Sequence, residues 1–135
     1  MILERNIYTQ AKKVIPKDSG ETIFFIGITE TSHEVFFYSE MDGAYIQCYE
    51  LQQKDEYEME NVFERIVQHI KASNQYEPNK YNLFTVKINK RKVTINVEYY
   101  NKNEKVYDLK KKWKDKNIPI TMDDMFTFYD VTDEF

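Results

Sequence analysis

Between residues 59 and 70 the side chains Met59, Val62, Phe63, Ile66, Val67 and Ile70 follow an i, i+3, i+4, i+7, i+8, i+11 pattern without a miss. That spacing places all six on one face of an α-helix. Such a helix needs an apolar surface to lie on, and the chain carries strand-like segments on both sides of it. Before it, ETIFFIGITE (21–30) is dense in β-branched and aromatic residues. After a turn at Thr31-Ser32-His33, Glu34–Ser39 reads as a second strand, and Asp42-Gly43 supplies the positive-φ chemistry of a tight hairpin. A third strand is expected over Ala44–Glu50. Beyond the helix, Phe84, Val86 and Ile88 alternate with Thr85 and Lys87. After a turn at Asn89-Lys90-Arg91, Val93, Ile95, Val97 and Tyr99 alternate with Thr94, Asn96 and Glu98. Each strand of this hairpin is expected to have one buried and one wet face.

Helices are also expected at the two ends. Leu3, Ile7, Ala11 and Val14 share one helical face that Pro16 terminates, and Val106, Leu109 and Trp113 predict a helix at about 105–116, stopped by Asn117 and Pro119. Thr121 with Asp124 resembles a capping box ahead of helically spaced Met122, Met125, Phe126 and Tyr129. The expected order is α-βββ-α-ββ-α-α. It describes a single α+β domain over residues 1–135, with a mainly antiparallel sheet of about five strands and helices packed on one face.

The 135 residues are 41% hydrophobic and 16% aromatic. A chain of this length buries roughly two-thirds of its unfolded surface, enough for a real core. Three isolated glycines (Gly20, Gly27, Gly43) leave no phosphate-cradling loop. His33, Cys48 and His69 are scattered without metal-ligand spacing, so no metal site is expected. Cys48, alternating with Ile46, is expected to pack as a small hydrophobe rather than act as a nucleophile. No pattern singles out a catalytic carboxylate pair. No catalytic residue, cofactor or enzyme activity is expected. With one cysteine, no signal-peptide pattern and no apolar run of membrane-span length, the expected location is the cytoplasm.

Charge is unevenly placed on a chain of net charge −4. Residues 50–64 hold Glu50, Asp55, Glu56, Glu58, Glu60 and Glu64 against Lys54 alone, and the segment 121–135 is acidic with no base. Between them, Lys102–Lys116 is lysine-rich. The acidic balance argues against a dedicated nucleic-acid binder. Eleven tyrosines, more than a core can bury with satisfied hydroxyls, fit a protein-binding surface.

Several segments carry a family likeness. Val14-Ile15-Pro16 closes the first helix, Glu34-Val35-Phe36-Phe37-Tyr38 forms an "EVFFxY" strand, and Glu77-Pro78 precedes the second hairpin. Lys92–Tyr99 is a return strand of the type "GKFxxxxxY", and Lys112-Trp113-Lys114 through Asn117-Ile118-Pro119 is a closing "YKxxxxGIxP". In pattern and order, over roughly residues 7–120, the chain resembles the YezG/EsaG-like bacterial immunity proteins (antitoxins). It departs from them in having Asn79 where a tryptophan is usual and Asn117 where glycine is usual. The resemblance implies a non-catalytic protein that binds and neutralises a cognate polymorphic toxin domain, often a basic nuclease, delivered by contact-dependent or specialised secretion. Candidate toxin contacts are Asp55, Glu56, Tyr57, Glu58, Glu60, Asp123, Asp124, Asp130 and Asp133. Neither direct nucleic-acid binding nor a membrane is expected, and both monomer and dimer stay open. The alternative is a small nucleic-acid-associated module using Lys87, Lys90, Arg91 and Lys92 with Lys110–Lys116.

Overall fold

All seven residues of the strand Thr22–Ile28 (β1) are buried, so this strand must be covered on both faces. The computed structural model describes residues 2–51, 55–119 and 121. Its elements run α1 (Ile2–Ala11), β1, β2 (His33–Met41), β3 (Ala44–Gln47), α2 (Glu56–Lys71), β4 (Tyr81–Asn89), β5 (Lys92–Tyr100) and α3 (Val106–Asn117). The five strands form one antiparallel sheet in the order β3-β2-β1-β4-β5, with β1 at its centre. The architecture is an α+β domain.

Successive strand residues point to opposite faces, and the chain uses both. On one face, Phe24 and Phe37 meet edge-on the ring of Phe63 from α2, at 6.2 and 6.1 Å between centroids. The helix α1 packs against α2 and reaches β5 on this side, burying Leu3, Ile7 and Ala11. On the other face, Phe25 and Phe36 stack at 4.8 Å, and Trp113 of α3 stands edge-on to both. The Trp113 indole donates a buried hydrogen bond of 2.9 Å to Thr85 Oγ1. Aromatic pairs of this geometry add about 0.5–1.5 kcal/mol each beyond their buried area.

The helices therefore cover two faces, not the single face expected from the sequence. The reason lies in the doublets Phe24-Phe25 and Phe36-Phe37, each of which sends one ring to either side of the sheet. By the same logic β4 is buried on both faces, and only the edge strand β5 keeps the expected wet face, with Thr94 and Asn96 exposed. The first hairpin turn is as expected: Asp42 and Gly43 have φ of 54° and 90° between the paired residues Met41 and Ala44. The second turn is tighter than expected, only Lys90-Arg91, because Asn89 pairs with Lys92. The third strand stops at Gln47, and Cys48–Glu50 forms a 3₁₀ turn that folds Cys48 into the core. Thr121 makes a parallel bridge to Tyr45 on the β3 edge. The expected last helix lies outside the described residues.

Two devices, one polar and one steric, fix the sheet ends. Asn82, fully buried, accepts from the Glu77 amide at 2.8 Å and donates to the carbonyls of Ile28, Glu77 and Lys80, tying the 77–80 loop to the end of β1. Gly27 lies beneath the Tyr81 ring, which fills the space a side chain would take. A methyl group there would collide with the end of the Tyr81 side chain, and a para-substituted ring has no way to bend aside. Gly27→Ala is expected to lower stability by about 1–3 kcal/mol. In urea denaturation, that loss should shrink when Tyr81→Ala is combined with it.

Candidate functional site

The helix α2 begins where Asp55 Oδ1 accepts the backbone amides of Tyr57 (2.9 Å) and Glu58 (3.4 Å). This is an N-cap. Glu56 and Glu58 in the first turn suit the positive end of the helix dipole. Past this turn the dipole no longer accounts for the acids. Glu56, Glu60 and Glu64 recur at four-residue steps and so form one row along the helix. Like charges at that spacing repel by about 0.2–0.5 kcal/mol per pair.

Neighbours relieve part of this repulsion. The Tyr49 hydroxyl donates to Glu60 Oε2 at 3.0 Å, and His33 Nε2 lies 3.2 Å from Glu64 Oε2. Tyr49 belongs to the 3₁₀ turn and His33 opens β2, so the row runs along the flank of α2 that faces the β2–β3 side of the sheet. Tyr57, 79% exposed, stands beside its start. The surface thus presents three carboxylates and Tyr57 on a helix anchored by six buried apolar residues, with the partly exposed Tyr49 of the 3₁₀ turn beside them. Chemically it can bind cations and guanidinium groups and lay aromatic plates against a protein.

Of the expected contacts, the structure gathers Asp55, Glu56, Tyr57, Glu58 and Glu60 around the start of α2, and assigns Asp55 to capping. Asp123, Asp124, Asp130 and Asp133 lie outside the described residues. Glu64, Tyr49 and His33 were not among the expected contacts. The four-residue recurrence of glutamate was a readable signal for the first, whereas the other two join the row only through the sheet.

The lysine-rich third helix is not the open basic face that its sequence suggests. Lys110 is 2% exposed and donates to Glu34 Oε2 at 2.6 Å, and Lys114 is also buried. Lys112 and Lys116 line a cleft of about 280 Å³ together with Glu98 and Glu104. The burial of Lys110 and Lys114 follows from Trp113 facing the sheet, which carries them inward with it. Among the described residues, no three His, Cys, Asp or Glu side chains come together to hold a metal ion, and no helix is long and apolar enough to cross a membrane.

The lone thiol, Tyr45 and Tyr81 are buried, while Tyr49 is partly exposed. Burial pushes the Cys48 thiol from 9.0 up to about 12. Burial, with the hydrogen bond that Tyr45 donates to Glu21 at 3.0 Å, lifts that phenol from 10.0 to about 12. Tyr49 is raised by burial and by the negative charges it faces, and Tyr81 by burial and Glu34.

No protein-family model matches the chain, and no curated protein matches it.

Two outcomes are expected from this geometry. Cys48 and Tyr45 ionise near their ordinary values once the chain unfolds, but near 12 in the fold. The stability they contribute is therefore complete below pH 9.0 and is lost as pH rises toward about 12. Urea midpoints across that interval should fall, and less steeply for Cys48→Ala. Separately, Lys110→Met leaves the partly buried Glu34 without its lysine and should cost about 1–3 kcal/mol. Adding Glu34→Leu should recover most of that loss in the same denaturation assay.

Proposed function

We propose that this protein is an immunity protein: a non-catalytic inhibitor that binds a cognate toxin domain in the cytoplasm and blocks it. The observation that carries this reading is the row Glu56–Glu60–Glu64 with Tyr49 and Tyr57 beside it. The row lowers the stability of its own helix, and complementary positive charge on a partner would offset that cost. A nuclease domain supplies such charge because it must hold phosphates. Opposite fields speed encounter and orient the partners, while tyrosines add contact area at small conformational cost. The motif likeness to the YezG/EsaG-like immunity proteins points the same way. The burial of Lys110 and Lys114 weakens the alternative of a nucleic-acid module.

The test is co-expression with the toxin domain encoded directly upstream. Protected cells and a complex of about nanomolar affinity or tighter, roughly −12 kcal/mol, are the expected result. Cells that still die, with no complex on a sizing column, would end the proposal. In stopped-flow association, Glu56→Lys combined with Glu60→Lys should slow binding by about tenfold or more at low salt and flatten its salt dependence. An unchanged rate would remove the electrostatic part of the reading.

A further inference from the structure

The strand β5 is a long sheet edge that carries two charged residues, Lys92 and Glu98. Its nine residues pair with β4 in an unbroken register, contain no proline, and form no bulge. Natural sheets normally blunt such an edge, because its free N–H and C=O groups invite another strand. The opposite edge, β3, is only four residues long and is bridged by Thr121.

The two-residue turn makes Asn89 and Lys92 a hydrogen-bonded pair. Alternation along an antiparallel ladder then points the backbone groups of Thr94, Asn96 and Glu98 toward β4, and those of Val93, Ile95, Val97 and Tyr99 outward. These four outward residues are symmetric about Asn96. Their side chains lie on the face covered by α1 and α2, where Val93, Ile95 and Val97 are only partly buried. Beside them a cleft of about 390 Å³, lined by Glu4, Arg5, Tyr8, Arg91 and Val93, is open.

We infer that β5 is a homodimer interface, in which two copies pair antiparallel about a two-fold axis at Asn96 to form one continuous sheet. In that register Ile95 meets Val97 of the other copy and Val93 meets Tyr99, each as a hydrogen-bonded pair of outward-facing residues. Asn96 meets its own equivalent, and every contact is repeated by the symmetry. The charges select this occupant. The strand opens at Lys92, directly after Lys90 and Arg91 of the turn, and carries Glu98 near its far end. An antiparallel copy therefore brings the basic start beside the acidic end, with Lys92 diagonal to Glu98. The acidic row of α2 lies toward the other edge of the sheet and stays open in the dimer, so this inference stands apart from the toxin-binding reading.

The experiment uses the purified chain alone, so a failure to find the toxin has no bearing on it. Light scattering on a sizing column should give twice the 16.4 kDa chain mass at high concentration, falling to 16.4 kDa on dilution. Val97→Pro removes an outward N–H at an edge position where proline is tolerated, and should give a monomer with an unchanged circular dichroism spectrum. Asn96→Lys is a second, milder variant. It sets two like charges against each other on the exposed face and should also give a monomer. The register is read by crosslinking: Asn96→Cys should oxidise rapidly to a dimer and Thr94→Cys should not, while the buried Cys48 stays silent. A wild-type chain that remains monomeric at every concentration overturns the inference, as does a dimer that survives both Val97→Pro and Asn96→Lys.

Discussion

The structure depends on covering the central strand from both sides. Every residue of β1 is buried, so neither face of the sheet can meet water at its centre. One side is closed by Phe63 and the rest of the α2 stripe, the other by Trp113. The two covers differ in kind. The α2 side is a broad aliphatic and aromatic contact, supported by α1. The α3 side rests on one large ring, anchored by a hydrogen bond to Thr85, with the Lys110–Glu34 pair closing the helix start. A helix as polar as α3 has few other apolar residues to bury: Leu109 beside Trp113, with Val106 partly buried.

That arrangement sets what each surface can do. Because α2 has one continuous apolar stripe, the rest of its surface is free to carry charge, and the acidic row occupies the flank toward the β2–β3 side of the sheet. Because α3 must turn Trp113 inward, two of its lysines follow and its basic character is partly spent within the fold. The sheet has two unlike edges for a related reason. The chain passes from β3 into a 3₁₀ turn after four residues, so that edge is short, whereas the second hairpin runs its full length at the other edge. The acidic row and the long free edge thus lie toward opposite edges of one sheet.

Much of this was legible in the residues. The α2 stripe, the Asp42-Gly43 turn and the alternation of Val93, Ile95 and Val97 each depend on neighbours within a few positions. Local physics decides them. By contrast, α1 ends at Ala11, well short of the stop expected at Pro16. The candidate site was legible in part: the acids at the start of α2 were readable as a cluster, but a cluster in sequence wraps around a helix. Its outward row emerges only once the buried face is known. Tyr49 and His33 are 11 and 31 residues from their glutamate partners and could not be joined to them by any local pattern. The lysines of α3 misled because composition records charge and not direction.

Among the described residues, the sequence by itself determined the main helices and strands, their order and the antiparallel class of the sheet, since hydrophobic period and turn chemistry act over short range. It also determined that no glycine-rich loop is present to cradle a phosphate. Only the tertiary structure decided that helices cover both faces, that Lys110 is a buried partner of Glu34, and that β5 rather than β3 is the long open edge. Those outcomes depend on which distant segments compete for the same apolar surface. Burying the paired phenylalanines on both sides of β1 and β2 settles that competition for the chain as a whole.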